Sequence, residues 1–488
     1  MKNNRYILPF VFVSLLSGAC HRDYLTPVPQ TQVTDATAFS TAGRIQNQVL
    51  SLYGALKSGS WMGGRYQIGG DIKGDNFINE QNNLITGADV WAGNPTNSAT
   101  AVVNEWSAAY LCINNANLFI DGMSATGTAV VGAALGGNYI AEAKVVRATA
   151  YYGLLQYYAK PYAMGVSNPG VPLRLTGIKQ AGFSALARSR VDSCYLQVIK
   201  DLDEAEASLP ASYSSALLNT THAHKNTAIA LKTRVYLSMG LYDKVISEAN
   251  KIVSATAPFV SSSGVAFSLA PDITKVFVSP YTLSESIFSL PMSSTSGDNP
   301  GTQNQLGFYF SPSSAQGGIG GGEYSMNPNG VIADANWKST DARRNFVFKS
   351  PNGKFWCTKY KAPSPYTDFA PIIRYAEVLL NLAEARVRST NSVDAQAVAL
   401  LNAVRQRSDA TTTFTAGSFA NPAALVAAIL QEKNIEFFGE GLRNNDLVRL
   451  QMTIPAKGSA GAKLPTDPGY IWPISASEIS LNPLCTDN

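Results

Sequence analysis

Arg374-Tyr-Ala-Glu-Val-Leu-Leu-Asn-Leu-Ala-Glu-Ala-Arg-Val-Arg388 runs into Ser389-Thr-Asn-Ser-Val393 and then into Asp394-Ala-Gln-Ala-Val-Ala-Leu-Leu-Asn-Ala-Val-Arg-Gln-Arg407. Apolar residues return at three- and four-residue steps on both sides of a short polar turn, which predicts two helices folded back on each other. Small alanines fall where the two helices would touch. The same layout occurs earlier: Ala228 to Met239, a turn at Gly240-Leu-Tyr-Asp243, and Lys244 to Val253. Further out, helical spacing covers Thr41 to Leu56 and Ala101 to Met123, the latter through Val102, Trp106, Ala109, Tyr110, Ile113, Ala116 and Ile120. It also covers 138–158, with Asn138 placed as a cap, and 190–208, which stops at Leu209-Pro210.

Helical hairpins of about 34 residues with Ala and aromatic residues at their contacts are the tetratricopeptide pattern, and such units need stacked neighbours to bury both faces. Four degenerate pairs are expected, which makes the fold class mainly α. Two intervals break the period. Residues 58–100 are rich in Gly and Asn, with Trp61, Tyr66, Phe77 and Trp91 interspersed. Residues 258–370 are rich in Ser, Gly, Pro and Asn, with short β-like runs such as Ser286 to Leu290 and Lys354 to Tyr360. The second interval reads as a loop-rich insertion with short strands, set between helical segments at about 20–257 and 371–488.

Composition narrows the function classes. In 488 residues, hydrophobic side chains make up 45% and charged ones 15%, the latter against about 25% in an ordinary domain. Such a chain has ample core and a surface of neutral polar groups. Lys and Arg number 38 and Asp and Glu 34, without a basic run, so nucleic-acid binding is excluded as a partner class. Lys2 and Arg5 precede a short apolar stretch from Tyr6 to Leu16, too short for a permanent span. It reads as a signal peptide over residues 1–19. Ser17-Gly18-Ala19-Cys20 resembles a bacterial lipobox, making Cys20 the lipidation site; cleavage after Ala19 without lipidation is the alternative. Loss of the leader removes Lys2 and Arg5 and no acid, leaving the body nearly neutral. Cys112, Cys194, Cys357 and Cys485 form no C-x-x-C and carry no nearby His at metal spacing, so no metal site is expected and their pairing is left open.

Several pieces in order resemble the SusD/RagB family, the surface lipoproteins that partner TonB-dependent transporters in Bacteroidetes nutrient uptake. They are Cys20-His-Arg-Asp-Tyr-Leu-Thr-Pro-Val-Pro29, Glu142 to Tyr152, Ile199 to Ala205 with Leu209-Pro210, Tyr375 to Ala385, Glu432-Lys-Asn-Ile-Glu-Phe-Phe-Gly-Glu-Gly-Leu-Arg443, and Trp472 to Pro483. The resemblance covers nearly the whole chain. It departs at Arg443-Asn-Asn-Asp-Leu447, where the family commonly has aromatic residues before Asp-Leu. It implies a single SusD-like domain over 20–488. The implied function is non-catalytic capture of oligosaccharides at the cell surface, anchored to the outer membrane through Cys20, for a SusC-like TonB-dependent transporter. No cofactor is implied. A peptide or other nutrient binder of the same type is the alternative, and an α-helical glycan hydrolase a more distant one.

A sugar ring has an apolar C–H face and a rim of hydroxyls, so its site needs a flat aromatic platform with polar side chains close by. Loop composition over 58–100 and 300–340 meets that need, and selects Trp61, Tyr66, Asn76, Tyr309, Tyr324 and Trp337. Trp91 with Asn94 is similar to the Trp and Asn pair by which the starch-binding family member holds its glycan, as the resemblance implies. Trp106, Trp356 and Trp472 are assigned to the core. Catalytic carboxylates are not expected: Glu377, Glu384, Glu432 and Glu436 lie on helices beside Lys and Arg, where i,i+4 pairing or a solvated face is the ordinary role. His21, His222 and His224 read as loop residues. Gly317-Gly-Ile-Gly-Gly-Gly322 lacks the Lys of a phosphate loop and reads as a flexible loop. Asp71-Ile-Lys-Gly-Asp75 resembles a calcium loop with Lys73 where an oxygen ligand is needed.

Overall fold

The computed structural model describes residues 35–180, 182 and 184–488. The signal peptide, Cys20, His21 and the motif that follows lie outside the described residues. Helix α1 (Ala42–Leu56) starts where the Thr41 side chain accepts the Arg44 N–H at 3.3 Å, and buries Ile45, Val49, Leu52 and Leu56 along one stripe. A second helix, α2 (Arg65–Lys73), lies inside the interval expected to be irregular. Every one of its residues is buried, so no polar face alternates with an apolar one and no period marks it in the sequence.

Helices α3 (Thr100–Gly122), α4 (Ala133–Tyr158), α5 (Val191–Ser208), α6 (Lys225–Met239) and α7 (Tyr242–Ala249) follow. Helix α4 begins five residues ahead of the expected start, after Gly132 at φ +85°, so Asn138 sits within the first turns and is not the cap. Near its end almost every side chain is buried because α3 and α5 flank it. The α6–α7 turn uses Gly240 at φ +70°, a left-handed position that glycine adopts without strain. Helices α8 (Tyr375–Thr390) and α9 (Ala395–Ser408) form the expected hairpin. Asp394 caps α9 by accepting the Ala397 N–H at 2.7 Å, and the same carboxylate takes both Nε and Nη2 of Arg386 at 2.8 Å, which clamps the turn. Helix α8 also packs on α7 and on α10 (Pro422–Glu436), so the hairpins stack as tetratricopeptide-like units.

Among the described residues there are also six short strands. Strands β2 (Ser286–Leu290) and β6 (Ala370–Arg374) pair antiparallel at the two ends of the loop-rich segment and are buried throughout. The other sheet has the order β1 (Phe77–Asn79), β3 (Tyr324–Met326), β5 (Phe355–Cys357), β4 (Val347–Lys349), all antiparallel. Its first strand comes from the N-terminal half, so the two loop-rich intervals share one sheet.

Beneath that segment is a buried charge network. Glu436 takes Arg343 at 2.9 Å, Arg374 at 3.0 Å and Arg407 at 2.6 Å. Glu432 binds Arg343 at 2.6 Å and Arg405 at 2.5 Å, Glu440 binds Arg374 and Lys359, Glu285 binds Arg374 and Arg407, and Asp341 binds Arg343 at 2.6 Å. The five acids balance five bases, and no side chain among them is more than 4% exposed. Buried charge needs pairing and hydrogen bonding, and here each member has both. Glu384, with Arg449, Lys433 and Arg388, forms a second such cluster. The Arg234–Glu377 pair is buried as well. The glutamates expected on solvated faces are therefore interior, because i,i+4 spacing explains only Glu384–Arg388 and the other partners come from distant segments.

Candidate functional site

Most rings that the sequence places in loops are interior. Trp61, Tyr309, Tyr324 and Trp337 are fully buried, and Tyr66 nearly so. Trp61 meets Tyr66 edge-on, Tyr66 leans on Tyr157, and Tyr309 stacks on Tyr324 at 5.9 Å with the planes 6° apart. The Trp337 ring is covered by the Arg344 guanidinium, 4.0 Å from its centroid. Asn76 is a strut: its Nδ2 donates to Asn434 Oδ1 at 2.6 Å and its Oδ1 accepts the Val331 N–H at 3.1 Å. A platform needs an uncovered face, and these side chains have none. They plug the space under long loops, where a large apolar ring gains most from leaving water.

Trp91 is 8% exposed, its indole N–H donates to the Phe77 carbonyl at 2.8 Å, and the Lys457 ammonium lies 5.8 Å from its ring centre. Asn94 is exposed and its Oδ1 accepts Lys463 Nζ at 2.7 Å. The two are not brought together as a ring with an adjacent amide. Beside Asn94 a cleft of about 450 Å³ opens between Pro95, Met164 and the run from Pro465 to Ile471, with Lys160 and Asp467 at hand. Its aromatic residue, Tyr470, is buried, and its hydroxyl is committed to the Met452 carbonyl at 2.8 Å.

The composition sought at the loop face is met elsewhere, by residues the sequence reading did not select. A groove of about 250 Å³ lies between Pro312, the stretch Gly317–Ile319, Phe348 and Thr358, with Tyr360 and Lys361 completing it. Strand β4 is the edge of its sheet, and alternation sets Phe348 on the face opposite Val347 and Lys349. Val347 packs on the core; Phe348 is half-buried and outside it. The wall beside Phe348 is the glycine run. An added Cβ at Gly318 would sit 2.2 Å from the Pro312 carbonyl oxygen, at Gly320 2.4 Å from that of Ser311, and at Gly321 2.5 Å from the Phe308 ring. The N–H groups of Gly318, Gly320, Gly321 and Gly322 donate to Ser313, Pro312, Phe308 and Ser311. This stretch is a packed wall and not the flexible loop expected: small residues here allow backbone to touch backbone. At Gly317 a Cβ would fall 3.4 Å from the Phe348 ring, so a side chain there would begin to cover it.

Three of the groove's polar side-chain atoms are uncommitted: Ser311 Oγ, Thr358 Oγ1 and Lys361 Nζ make no hydrogen bond or ion pair with any described residue. Ile319 stands 37% exposed at the rim, and its carbonyl accepts the Tyr366 hydroxyl at 2.7 Å. A ring edge, two hydroxyls and an ammonium around one cavity can hold a ligand by apolar contact and hydrogen bonds. The sequence held a weak signal for it: an aromatic alternating with the core residue of an edge strand, next to a glycine run.

Other chemistry is not assembled among the described residues. Asp203, Glu206 and Glu248 approach closely enough to hold a metal ion, but each is already paired with Lys232, Lys251 or both. Asp75 is spent on Arg443 at 2.6 Å and Asp71 accepts the Gly441 N–H at 2.7 Å, so the calcium-like stretch is a helix end with other duties. Burial pushes the Asp71 carboxyl up to about 8, against the Gly441 hydrogen bond. Burial lowers the Lys73 and Lys457 ammonium groups to about 7. Neither described histidine is a free loop residue. His222 Nδ1 lies 2.9 Å from Glu142 Oε2, and His224 is buried at the start of α6 with its pKa lowered by burial to about 4. The four described cysteines are free and buried. No helix among the described residues is long and apolar enough to cross a membrane.

Comparison with known proteins places this architecture. Residues 23–237 match a family described as starch-binding and associating with the outer membrane, and residues 350–488 match the SusD family. A solved SusD superfamily protein from Bacteroides fragilis is 32% identical, with 92% of this chain and 99% of that one covered and a TM-score of 0.81. A laminarin-binding SusD-like protein is 19% identical, with 92% and 99% coverage and a TM-score of 0.71. Surface glycan-binding protein A from Bacteroides uniformis is 20% identical over the same shares, also with a TM-score of 0.71. No curated protein matches the chain.

Proposed function

We propose, from the premise that this chain belongs to the SusD superfamily, that it is a non-catalytic glycan-binding protein whose platform is the Phe348 groove. The observation that carries this reading is a half-buried aromatic ring that lines a cavity beside uncommitted hydroxyls, walled by a packed glycine turn. A pyranose against Phe348 would hide the ring's remaining exposed surface, worth at most about 2 kcal/mol or roughly thirtyfold in affinity. Ser311 and Thr358 would exchange water for sugar hydroxyls at little net cost. Lipidation of Cys20 would hold the protein on the outer membrane, facing outward, and a TonB-dependent transporter would receive the captured oligosaccharide. The cleft between Pro95, Met164 and the run from Pro465 to Ile471 is the alternative location.

The test is calorimetry of the chain from His21 onward against a panel of polysaccharides, with reducing ends assayed in the same samples. Binding without product release, lost in Phe348→Ala and kept in Asn94→Ala, supports the groove. The reverse pattern moves the site to the cleft, and release of products refutes the non-catalytic reading. Loss of membrane association in Cys20→Ala and co-purification with a transporter test the anchor and the partner.

A further inference from the structure

The groove's electrostatics narrow its ligand, on the reading that it binds glycans. Of the side chains around it only Lys361 is charged, and no carboxylate lines it. Asp368, which accepts the backbone N–H of Lys361, is buried, and its oxygens are taken by the N–H groups of Lys361 and Ala362 at 3.2 and 3.0 Å and by the Tyr281 hydroxyl at 3.1 Å. The Lys361 ammonium itself pairs with no described residue. Ser311 Oγ, Thr358 Oγ1 and the Ile319 N–H, which make no hydrogen bond to any described residue, can each donate. A pocket with four donors, one of them cationic, and no ionised acceptor favours a ligand rich in acceptors. In a chain otherwise poor in charge, this local imbalance departs from the neutral surface that composition suggests.

We propose that the Phe348 groove selects acidic glycans, with Lys361 receiving a uronate carboxylate or a sulfate on the sugar that covers the ring. The apolar contact to Phe348 is common to any pyranose, so it sets affinity for the class. The charge-assisted bond to Lys361 sets preference within it, since bonds to an ionised partner are about twice as strong as neutral ones. Because the ammonium is exposed, the preference fades with salt.

The experiment compares matched polymers by calorimetry at low and high ionic strength: polygalacturonate against its fully methyl-esterified form, and chondroitin sulfate against desulfated, carboxyl-reduced chondroitin. The expected result is roughly tenfold tighter binding of one acidic polymer than of its neutral partner. Lys361→Gln should erase that difference, bringing the acidic polymer's affinity down to that of its neutral partner. Lys160→Gln, at the Asn94 cleft, is the charge control and should leave the difference intact. Neutral polymers that bind as tightly as acidic ones, lose binding in Phe348→Ala and ignore Lys361→Gln would keep the glycan function and overturn the acidic preference. A preference that survives Lys361→Gln, or disappears equally in Lys160→Gln, overturns it as well. Failure of all four polymers and of the wider panel would defeat the glycan reading and this inference together.

Discussion

Glu436→Gln is the sharpest probe of how the loop-rich segment is held to the helices. The side chain keeps its size and loses its charge in a site where three arginines converge within 3.0 Å. Burial alone would push the Glu436 pKa up, but Arg407, Arg374 and Arg343 outweigh it and hold the carboxyl well below the usual range. The substitution leaves five buried cations facing four acids. Removing one partner from a buried pair costs about 3–5 kcal/mol, mostly for the stranded charge. Unfolding entropy is about 2.1 cal/mol/K per residue, so for this chain length each kcal/mol moves Tm by about 1 °C. The expected loss is then about 3–5 °C by differential scanning calorimetry at pH 7. The comparison variant is Lys354→Gln, which removes the exposed partner of Glu80 and should cost under about 1 kcal/mol. Arg407→Met in the Glu436→Gln background restores the balance of charge and should recover part of the loss. The pH dependence has a fixed sign. A carboxyl whose folded pKa is depressed stabilises above its unfolded value near 4 and loses that contribution as pH falls, so the wild type should shed its advantage over Glu436→Gln on acidification below about pH 4. A Glu436→Gln protein melting within 1 °C of Lys354→Gln, or a double variant no better than the single, would refute the charge-balance argument.

Asp71→Asn should behave oppositely. The folded carboxyl at about 8 binds its proton long after the unfolded one has lost it, so rising pH favours the unfolded wild type. The variant should therefore gain in Tm relative to wild type between pH 4.5 and pH 7.5, and an unchanged difference would disprove the raised value. Gly318→Ala drives a methyl into the Pro312 carbonyl. It should displace the groove wall and weaken glycan binding roughly tenfold while Tm shifts by under about 1 °C, because the wall is peripheral to the core; full affinity in a folded variant would refute the packed-wall description. Burial pushes the Cys112 and Cys357 thiols up to about 12 and those of Cys194 and Cys485 to about 11. Ellman's reagent should find no reactive thiol in the native chain from His21 onward and all four in guanidinium, and fewer than four there would reveal a disulfide.

The helical hairpins were legible because their signal is local: alanine contacts and apolar steps within 40 residues. Helix α2 was illegible for the same reason inverted, since a helix buried all round has no period to read. Trp106, Trp356 and Trp472 lie in the interior as their spacing and setting indicate, whereas loop position misled for Trp61, Tyr309, Tyr324 and Trp337. A residue in an irregular segment is not thereby at the surface: here the loops fold over their own aromatics. The ring of the proposed platform, Phe348, lies on an edge strand whose outward face depends on pairing with β5, which no local pattern announces. The buried glutamates were misread because their partners lie tens to hundreds of residues away, as Arg343 does from Glu436.

The balanced charge network also governs how such a protein can diverge. Phe348, Ile319 and Lys361 reach solvent at the groove, so each can be exchanged singly at modest cost and any preference set there can drift in small steps. Glu285, Glu432, Glu436 and Glu440 have no such freedom: any one lost strands an arginine, and viable change there requires two substitutions at once. Descendants of this chain should thus vary most in what they capture and least in the joint that carries the capturing loops.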